Sequence, residues 1–223
     1  YNQTPILRNE LFNRQKLSSA ISLARVNLLD AMLNNPDKES FGIDGFPPEK
    51  TVYFTLFRES GIHRLDNNGQ WVLGAPTNPE LQSLWNASIE FINSSIDKPR
   101  KLSELAKILK TAPYKLKQGV IDFWIPIFLF INQQDFALYN GSSFVLNINK
   151  EVFELIQKRV NDFSIKAFKV AGVKLEFFKR YRQFLKKDDS VGVSSESLLE
   201  TVKPFFHFYR GLNPYAKRTR KFD

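Results

Sequence analysis

The segment that most constrains the fold is residues 120–131, which is apolar on nearly every face of the helix it predicts. It is shorter than the roughly 18 apolar residues that a membrane span needs, and it contains Asp122. We therefore predict a buried core helix, against which the other elements pack. With 43% hydrophobic residues and 21 Phe among 223 residues, the chain can bury such a core.

The amino-acid composition indicates the kind of cellular compartment in which the protein is expected. The chain has no Cys, which excludes disulfides and thiolate metal sites and is typical of a reducing compartment. The first ten residues are polar and do not resemble a signal peptide. We expect a cytoplasmic protein with no membrane partner. Because the chain starts with Tyr1 and stops just after a basic cluster, we also expect it to be a piece of a larger protein.

The apolar periodicity predicts a mainly α fold with small β-hairpins, organised as two winged-helix-like units followed by C-terminal helices. The predicted boundaries are 1–97, 98–170 and 171–223. Each of the first two units has the plan helix, turn, helix, hairpin. The predicted helices cover residues 14–34, 48–59, 79–92, 103–109, 119–132 and 149–158, with tail helices at about 175–185 and 195–209. An inner start of the first helix, capped by Ser18 or Ser19, is the alternative.

Two Asn-Gly pairs mark the predicted hairpins, because Asn and Gly tolerate the positive φ of tight turns. Asn68-Gly69 lies between residues 62–65 and 70–73, and Asn140-Gly141 lies between residues 136–139 and 144–146. Residues 160–170 are compatible with either a short strand or the start of another helix.

The search for catalytic motifs is mostly negative. The chain has no G-x-x-x-x-G-K-[ST] phosphate loop, no H-E-x-x-H and no G-x-S-x-G, and only two His. We expect no cofactor, no metal and no enzymatic activity in this chain. The weak catalytic candidates are Arg58 and His63, whose spacing resembles the R-x4-6-H motif of small helical ribonucleases. Gly61 between them predicts a helix end, so a surface Arg and a strand His are the alternative interpretation.

Positive charge is concentrated at the C-terminus. Of the net charge of +9, residues 166–223 carry +8, from 14 Lys/Arg and 6 Asp/Glu. Such a region attracts nucleic acid, anionic lipid or an acidic protein face without selecting among them, or it is simply a solvated helical surface. The candidate residues for binding nucleic-acid backbone or a partner are Lys115, Lys117, Lys174, Lys179, Arg180, Arg182, Lys186, Lys187, Lys217, Arg218, Arg220 and Lys221.

Sequence-specific DNA reading is not favoured. A recognition helix needs outward Arg, Lys, Asn or Gln near its N-terminus. The second helix of the second unit has no basic residue, and only Lys115 and Lys117 precede it. The equivalent helix of the first unit carries only Lys50 and Arg58.

Several short motifs together resemble the region that follows the nucleotide-binding part of large bacterial P-loop ATPases of phage-defence systems, such as the BREX type. They are E-L-F-N-R at 10–14, G-I-D-G-F-P-P-E at 42–49, G-I-H-R at 61–64 and A-P-Y-K-L-K-Q-G-V-I at 112–121. The resemblance implies a helical, winged-helix-bearing segment that serves an ATPase or its assembly. Since the phosphate loop is missing, ATPase activity is not expected of this chain.

The leading hypothesis is thus that the chain is a non-catalytic interaction module of a larger intracellular protein. The module would dock other regions or subunits of an assembly, or the backbone of DNA or RNA. The alternatives are a winged-helix DNA-binding protein and, less favoured, a ribonuclease that uses Arg58 and His63.

Overall fold

The computed structural model of the chain describes residues 9–168 and 211–213. The chain divides into two units, Tyr1–Ala167 and Phe168–Asp223. The two predicted tail helices and the ten basic candidates from Lys174 onward lie outside the described residues.

The first helix, α1, is Ser19–Asn34, and the Ser18 hydroxyl caps it by accepting a hydrogen bond from the Ile21 N–H. The helix starts later than the predicted residue 14. In the segment before the helix, the backbone carbonyl of Arg14 accepts a hydrogen bond from the Gly119 N–H of a distant segment. Pro36 follows the helix end closely, and proline disfavours helical geometry at the residue before it.

The second helix, α2, is Pro48–Tyr53, and it continues as a π-helical turn, Phe54–Arg58. The first predicted hairpin is confirmed: strand β1, His63–Leu65, pairs antiparallel with β2, Trp71–Leu73. The Asp66 carboxylate stabilises the turn by accepting hydrogen bonds from the Asn68 and Gln70 N–H groups, both at 2.8 Å.

Helix α3 is Pro79–Asn93, and its start is capped by the Asn78 side chain. Its apolar periodicity predicts one buried side, and this is confirmed. The buried residues of the helix are Leu81, Leu84, Trp85, Ser88, Phe91 and Ile92.

Beyond α3, the chain alternates between helices and one antiparallel sheet. The elements are β3 (Arg100–Lys101), α4 (Leu102–Lys110), α5 (Gln118–Ile131), β4 (Phe136–Asn140), β5 (Ser143–Phe144), α6 (Lys150–Lys158) and β6 (Phe163–Ala167). The strand order in the sheet is β3-β6-β4-β5, and Leu138 lies opposite Ile165. Residues 160–170 therefore contain a strand, which decides between the two alternatives.

The fold class is mixed rather than mainly α. Half of the described residues lie in helices, and the second predicted hairpin belongs to a four-stranded sheet. The sheet exists because β6 pairs with β4, far away in sequence, and the local turn signals used for prediction carry no information about such pairing.

Helix α5 is the centre of the hydrophobic core, as its composition predicts. Ten of its residues are buried, and its aromatic residues are among the most deeply buried of the described side chains. The core is continuous from Phe12 to Ala167 and crosses the predicted boundary near residue 97. Among the described residues, no helix combines the length and the apolar character that crossing a membrane requires.

Candidate functional site

His63 lies on β1 at the centre of a buried aromatic cluster and is 0% exposed. Its Nε2 is 3.0 Å from the Pro36 carbonyl oxygen, and its Nδ1 is 2.8 Å from the Tyr53 hydroxyl. A carbonyl only accepts, so Nε2 must carry the proton and Nδ1 must accept from the Tyr53 O–H. The neutral Nε2–H tautomer is thereby fixed by its two partners.

Rings surround His63 on several sides. Their centroids lie 4.4 Å (Phe41), 4.8 Å (Trp71) and 5.7 Å (Tyr53) from that of the imidazole. This burial, with a smaller contribution from the positive charge of Arg58, lowers the pKa of His63 below its ordinary value, although the Pro36 hydrogen bond opposes the shift. The residue is therefore neutral at physiological pH.

Arg58 and His63 do not share an open cleft. Arg58 is exposed, and its guanidinium carbon lies 4.6 Å from the centre of the Trp71 ring, in a cation–π contact. Trp71 thus contacts both candidates, and both nitrogens of His63 are occupied. A general acid or base must reach a substrate proton, and this geometry gives His63 no such access. It favours the structural interpretation of this pair over the ribonuclease.

The loop before α2 displays one aromatic side chain. Phe46 is 94% exposed, the highest value among the large apolar residues described. It stands between Gly45, with φ of +65°, and Pro47. The Lys50 ammonium donates a hydrogen bond of 2.8 Å to the Ile43 carbonyl. It also lies 5.7 Å from the centre of the Phe46 ring, so Lys50 contacts the loop at both residues. A Phe that is exposed on a restrained loop is available to contact a partner.

A cluster of polar side chains, separate from the aromatic cluster around His63, lies between α1, α5 and α6. Arg25 is only 2% exposed and donates through Nη2 to the Gln157 side chain, while its Nε has no hydrogen-bond partner. Gln118 donates to the Asp122 carboxylate. Burial lowers the pKa of Arg25, and the charges of Asp122 and Glu154 oppose that shift.

Burial raises the pKa of Asp122 in the same cluster, while hydrogen bonds and the Arg25 charge counteract it. Asp122, Gln118 and Gln157 border a small pocket with a largely apolar wall. The remaining lining residues are Ala106, Lys110, Ile121, Ile125, Pro126, Ile156 and Val160. Burial thus disfavours the charged form of both Arg25 and Asp122, and the attraction between their charges only partly offsets this effect.

The two basic candidates within the described residues lie just before α5, and both are exposed. Lys115 has a left-handed backbone with φ of +51°. The Lys117 ammonium donates to the Asn13 carbonyl at 3.1 Å, so it anchors the N-terminal segment. The structure does not bring them together with Arg58 or His63 into one hydrogen-bonded group. Within residues 9–168 and 211–213, no three His, Asp or Glu side chains form a metal-binding group.

Comparisons with known proteins give no relatives: no protein family, curated protein or solved structure was found to match this chain.

Sequence reasoning missed Phe46 and Arg25. The signal for Phe46 was a large aromatic residue between Gly45 and Pro47, outside any periodic apolar pattern. The signal for Arg25 was its place within the buried stripe of α1, beside Ala24 and Leu28. Phe46 is an apolar residue in a predicted loop, and Arg25 is a charged residue in an apolar stripe of a helix. Such a mismatch between residue type and environment marks a position whose role should be tested.

Proposed function

We propose that this chain is a non-catalytic interaction module of a larger intracellular protein, which docks protein partners or nucleic-acid backbone. The observation that carries the proposal is the exposure of Phe46 on a loop restrained by Lys50. An aromatic side chain held outward in this way can insert into an apolar pocket of a partner at little entropic cost.

The charges around Phe46 favour a protein partner at this loop. Residues 36–50 contain Asp37, Glu39, Asp44 and Glu49 against only Lys38 and Lys50, a balance of −2. Phosphate backbone would be repelled here, whereas a basic rim around an apolar pocket would be attracted. Docking of nucleic-acid backbone is therefore assigned to Lys115, Lys117 and the basic C-terminal residues.

A winged-helix DNA-binding protein is the second candidate, and the order of elements supports it. From α3 onward the chain forms a helix, a short strand, two helices and the strand β4, then β5, α6 and finally β6, which lies between β3 and β4 in the sheet. The helix in the recognition position is α5, and its burial opposes reading of bases in the major groove. A unit of this kind would dock through shape and phosphate contacts.

The parent protein in this proposal is a P-loop ATPase of a bacterial phage-defence system, in keeping with the sequence resemblance. The module would connect the ATPase to other subunits in the cytoplasm. The hydrolytic activity would belong to the rest of the parent.

The protein-docking part is tested by calorimetric titration of the chain with the separately produced remainder of its parent. Phe46→Ser is expected to weaken binding at least about tenfold, the effect of losing one anchoring aromatic residue. Leu155→Ser, which changes another exposed apolar residue on α6, is the matched control and should bind normally. Equal binding by wild type and Phe46→Ser would remove Phe46 from the interface.

The nucleic-acid part is tested by fluorescence anisotropy with a short DNA duplex at about 50 mM and about 200 mM salt. Backbone docking predicts binding that weakens steeply with salt and a smaller salt slope in Lys115→Ala/Lys117→Ala. Salt-independent binding would favour direct base recognition, and absence of binding at the lower salt concentration would leave only protein docking.

A further inference from the structure

We propose that the outward face of the four-stranded sheet binds single-stranded nucleic acid, with unpaired bases stacked on Tyr139 and Phe144 and phosphates bound by Lys101 and Lys166. None of these residues is among the basic candidates to which docking of nucleic-acid backbone is assigned, so either site can exist without the other. The basis is the register of the sheet, which brings aromatic and basic side chains from all four strands onto one face.

The pairing of the strands places four residues in one row across the sheet. Phe144 of β5 lies opposite Tyr139 of β4, which in turn lies opposite Ser164 of β6. Ser164 lies opposite Lys101 of β3. Residues directly opposite one another project from the same face, and Lys166, two residues after Ser164, shares that face. With strands about 4.8 Å apart, the row spans about 14 Å.

The row lies on the side of the sheet that faces away from the hydrophobic core. Burial alternates along β6: its first, third and fifth residues are buried, whereas Ser164 and Lys166 between them are half-buried. On the same face Tyr139 is half-buried, Lys101 is exposed and Phe144 is 40% exposed. The side chains of the row are therefore accessible to a ligand.

Tyr139 and Phe144 form one aromatic surface on this face. Their ring centroids are 5.8 Å apart, with an angle of 66° between the ring planes. An aromatic side chain can stack any base, because every base has a π face. Bases within a duplex are already stacked on one another, so the two rings favour single strands.

The charge of this face suits a phosphate backbone. The four strands contain Arg100, Lys101 and Lys166 and neither Asp nor Glu. Among residues 9–168 and 211–213, Lys101 and Lys166 form no salt bridge. The carboxylate that attracts Lys101, Glu104, is held by Arg100 at 2.7 Å. Asp162 lies in the turn before β6, at the opposite end of the strand from Lys166.

A ligand of this face must combine planar apolar groups with regularly spaced negative charge. Single-stranded DNA and RNA have both features in every nucleotide. An acidic peptide supplies the charge without a planar group at each residue, so it matches only half of the site.

The test is fluorescence anisotropy of the whole chain with an oligothymidylate and an oligouridylate of about 12 nucleotides, and with a DNA duplex. Phe144→Ala should weaken binding of the single strands about tenfold and leave duplex binding unchanged. Phe54→Ala is the matched control, because Phe54 is 42% exposed but lies on the π-helical turn, and it should bind as the wild type does. Phe144→Trp keeps an aromatic ring and should also bind normally. Comparison of the two oligomers distinguishes DNA from RNA as the ligand.

The phosphate contacts are tested by the salt dependence of the same binding. Lys166→Ala should lower the slope of log affinity against log salt by about 0.7, the value for one phosphate contact with a single strand. Lys38→Ala removes an exposed Lys from the loop before α2 and should leave the slope unchanged. An equal slope in both variants would exclude Lys166 from the site.

Two results would overturn the proposal. One is that the wild type binds neither oligomer at about 50 mM salt. The other is that Phe144→Ala and Phe54→Ala bind the oligomers equally well. Salt-dependent binding that remained in that case would still fit backbone docking by the other basic residues. If Phe144→Ala does not fold, NMR of the wild type replaces it: the ring signals of Tyr139 should shift on addition of oligothymidylate, and unchanged signals would also overturn the proposal.

Discussion

The Trp124 indole N–H donates a hydrogen bond of 3.0 Å to the Ser88 hydroxyl, and that hydroxyl in turn donates to the Leu84 carbonyl at 2.9 Å. Trp124 lies on the apolar helix α5 and Ser88 on the buried side of α3, so one hydrogen bond connects the two central helices. It also provides the partner that a buried indole N–H requires.

Ser88→Ala should lower the free energy of unfolding by about 1–3 kcal/mol, because it leaves the Trp124 N–H buried without an acceptor. Urea unfolding measured by Trp fluorescence would give the value. Ser83→Ala is the control, since Ser83 is a half-exposed residue of the same helix and shares the gain in helix propensity. Equal stability of the two variants would show that the bond contributes nothing.

Gly119→Ala should destabilise the unit by about 1–3 kcal/mol through overpacking, although Ala is intrinsically better than Gly in a helix. An added Cβ would lie 2.3 Å from the Phe12 carbonyl oxygen and 2.9 Å from that of Arg14. Thermal unfolding is the measurement. Gly211→Ala, where the space around the Cβ is open, serves as the control and should leave the unfolding temperature unchanged.

The Arg25–Asp122 pair should show energetic coupling in a double-mutant cycle. Arg25→Met and Asp122→Asn each leave one charge of the buried cluster poorly compensated, and each should destabilise the chain. The double variant removes both charges, so its loss should be smaller than the sum by about 0.5–3 kcal/mol. Chemical unfolding of all four proteins measures this, and strict additivity would mean that the two side chains do not interact.

Stability should fall as the pH is lowered below about 6.5, the ordinary pKa of His. The folded state lowers the pKa of His63, so below that pH the unfolded chain binds a proton that the folded chain does not. One such proton contributes a slope of at most about 1.4 kcal/mol per pH unit. Urea unfolding at several pH values should show a smaller slope in His63→Gln than in His207→Gln. Identical slopes in both variants would contradict the assignment.

Much of the secondary structure could be predicted because its signals are local. Ser18 as a cap, the turn at Asn68-Gly69 and the buried side of α3 follow from side-chain chemistry and periodicity within a few residues. The predicted extension of α1 back to residue 14 is wrong, and the Arg14 carbonyl instead accepts a hydrogen bond from the Gly119 N–H of a distant segment.

The candidate sites were less accessible to sequence reasoning. The spacing of Arg58 and His63 was visible in the sequence. The hydrogen-bond partners of His63, which are Pro36 and Tyr53, were not, because they lie on either side of a loop. Within that loop, the left-handed backbone of Phe41 has no sequence signal. The exposure of Phe46 is likewise a property of the folded surface, because composition alone predicts burial of a Phe.

The sequence by itself determined that α5 would be the core, since an apolar helix of that length has no other stable environment in water. Only the tertiary structure decided that β6 joins β3 and β4 in one sheet and that Arg25 is buried beside Gln157. It also decided that Nδ1 of His63 is hydrogen-bonded to the Tyr53 hydroxyl. The physical reason is the sequence distance over which each signal acts. Hydrophobic periodicity acts within one helix or strand. Strand pairing, the burial of a charge and the hydrogen bonding of a ring nitrogen depend on which distant residues the packed core brings together.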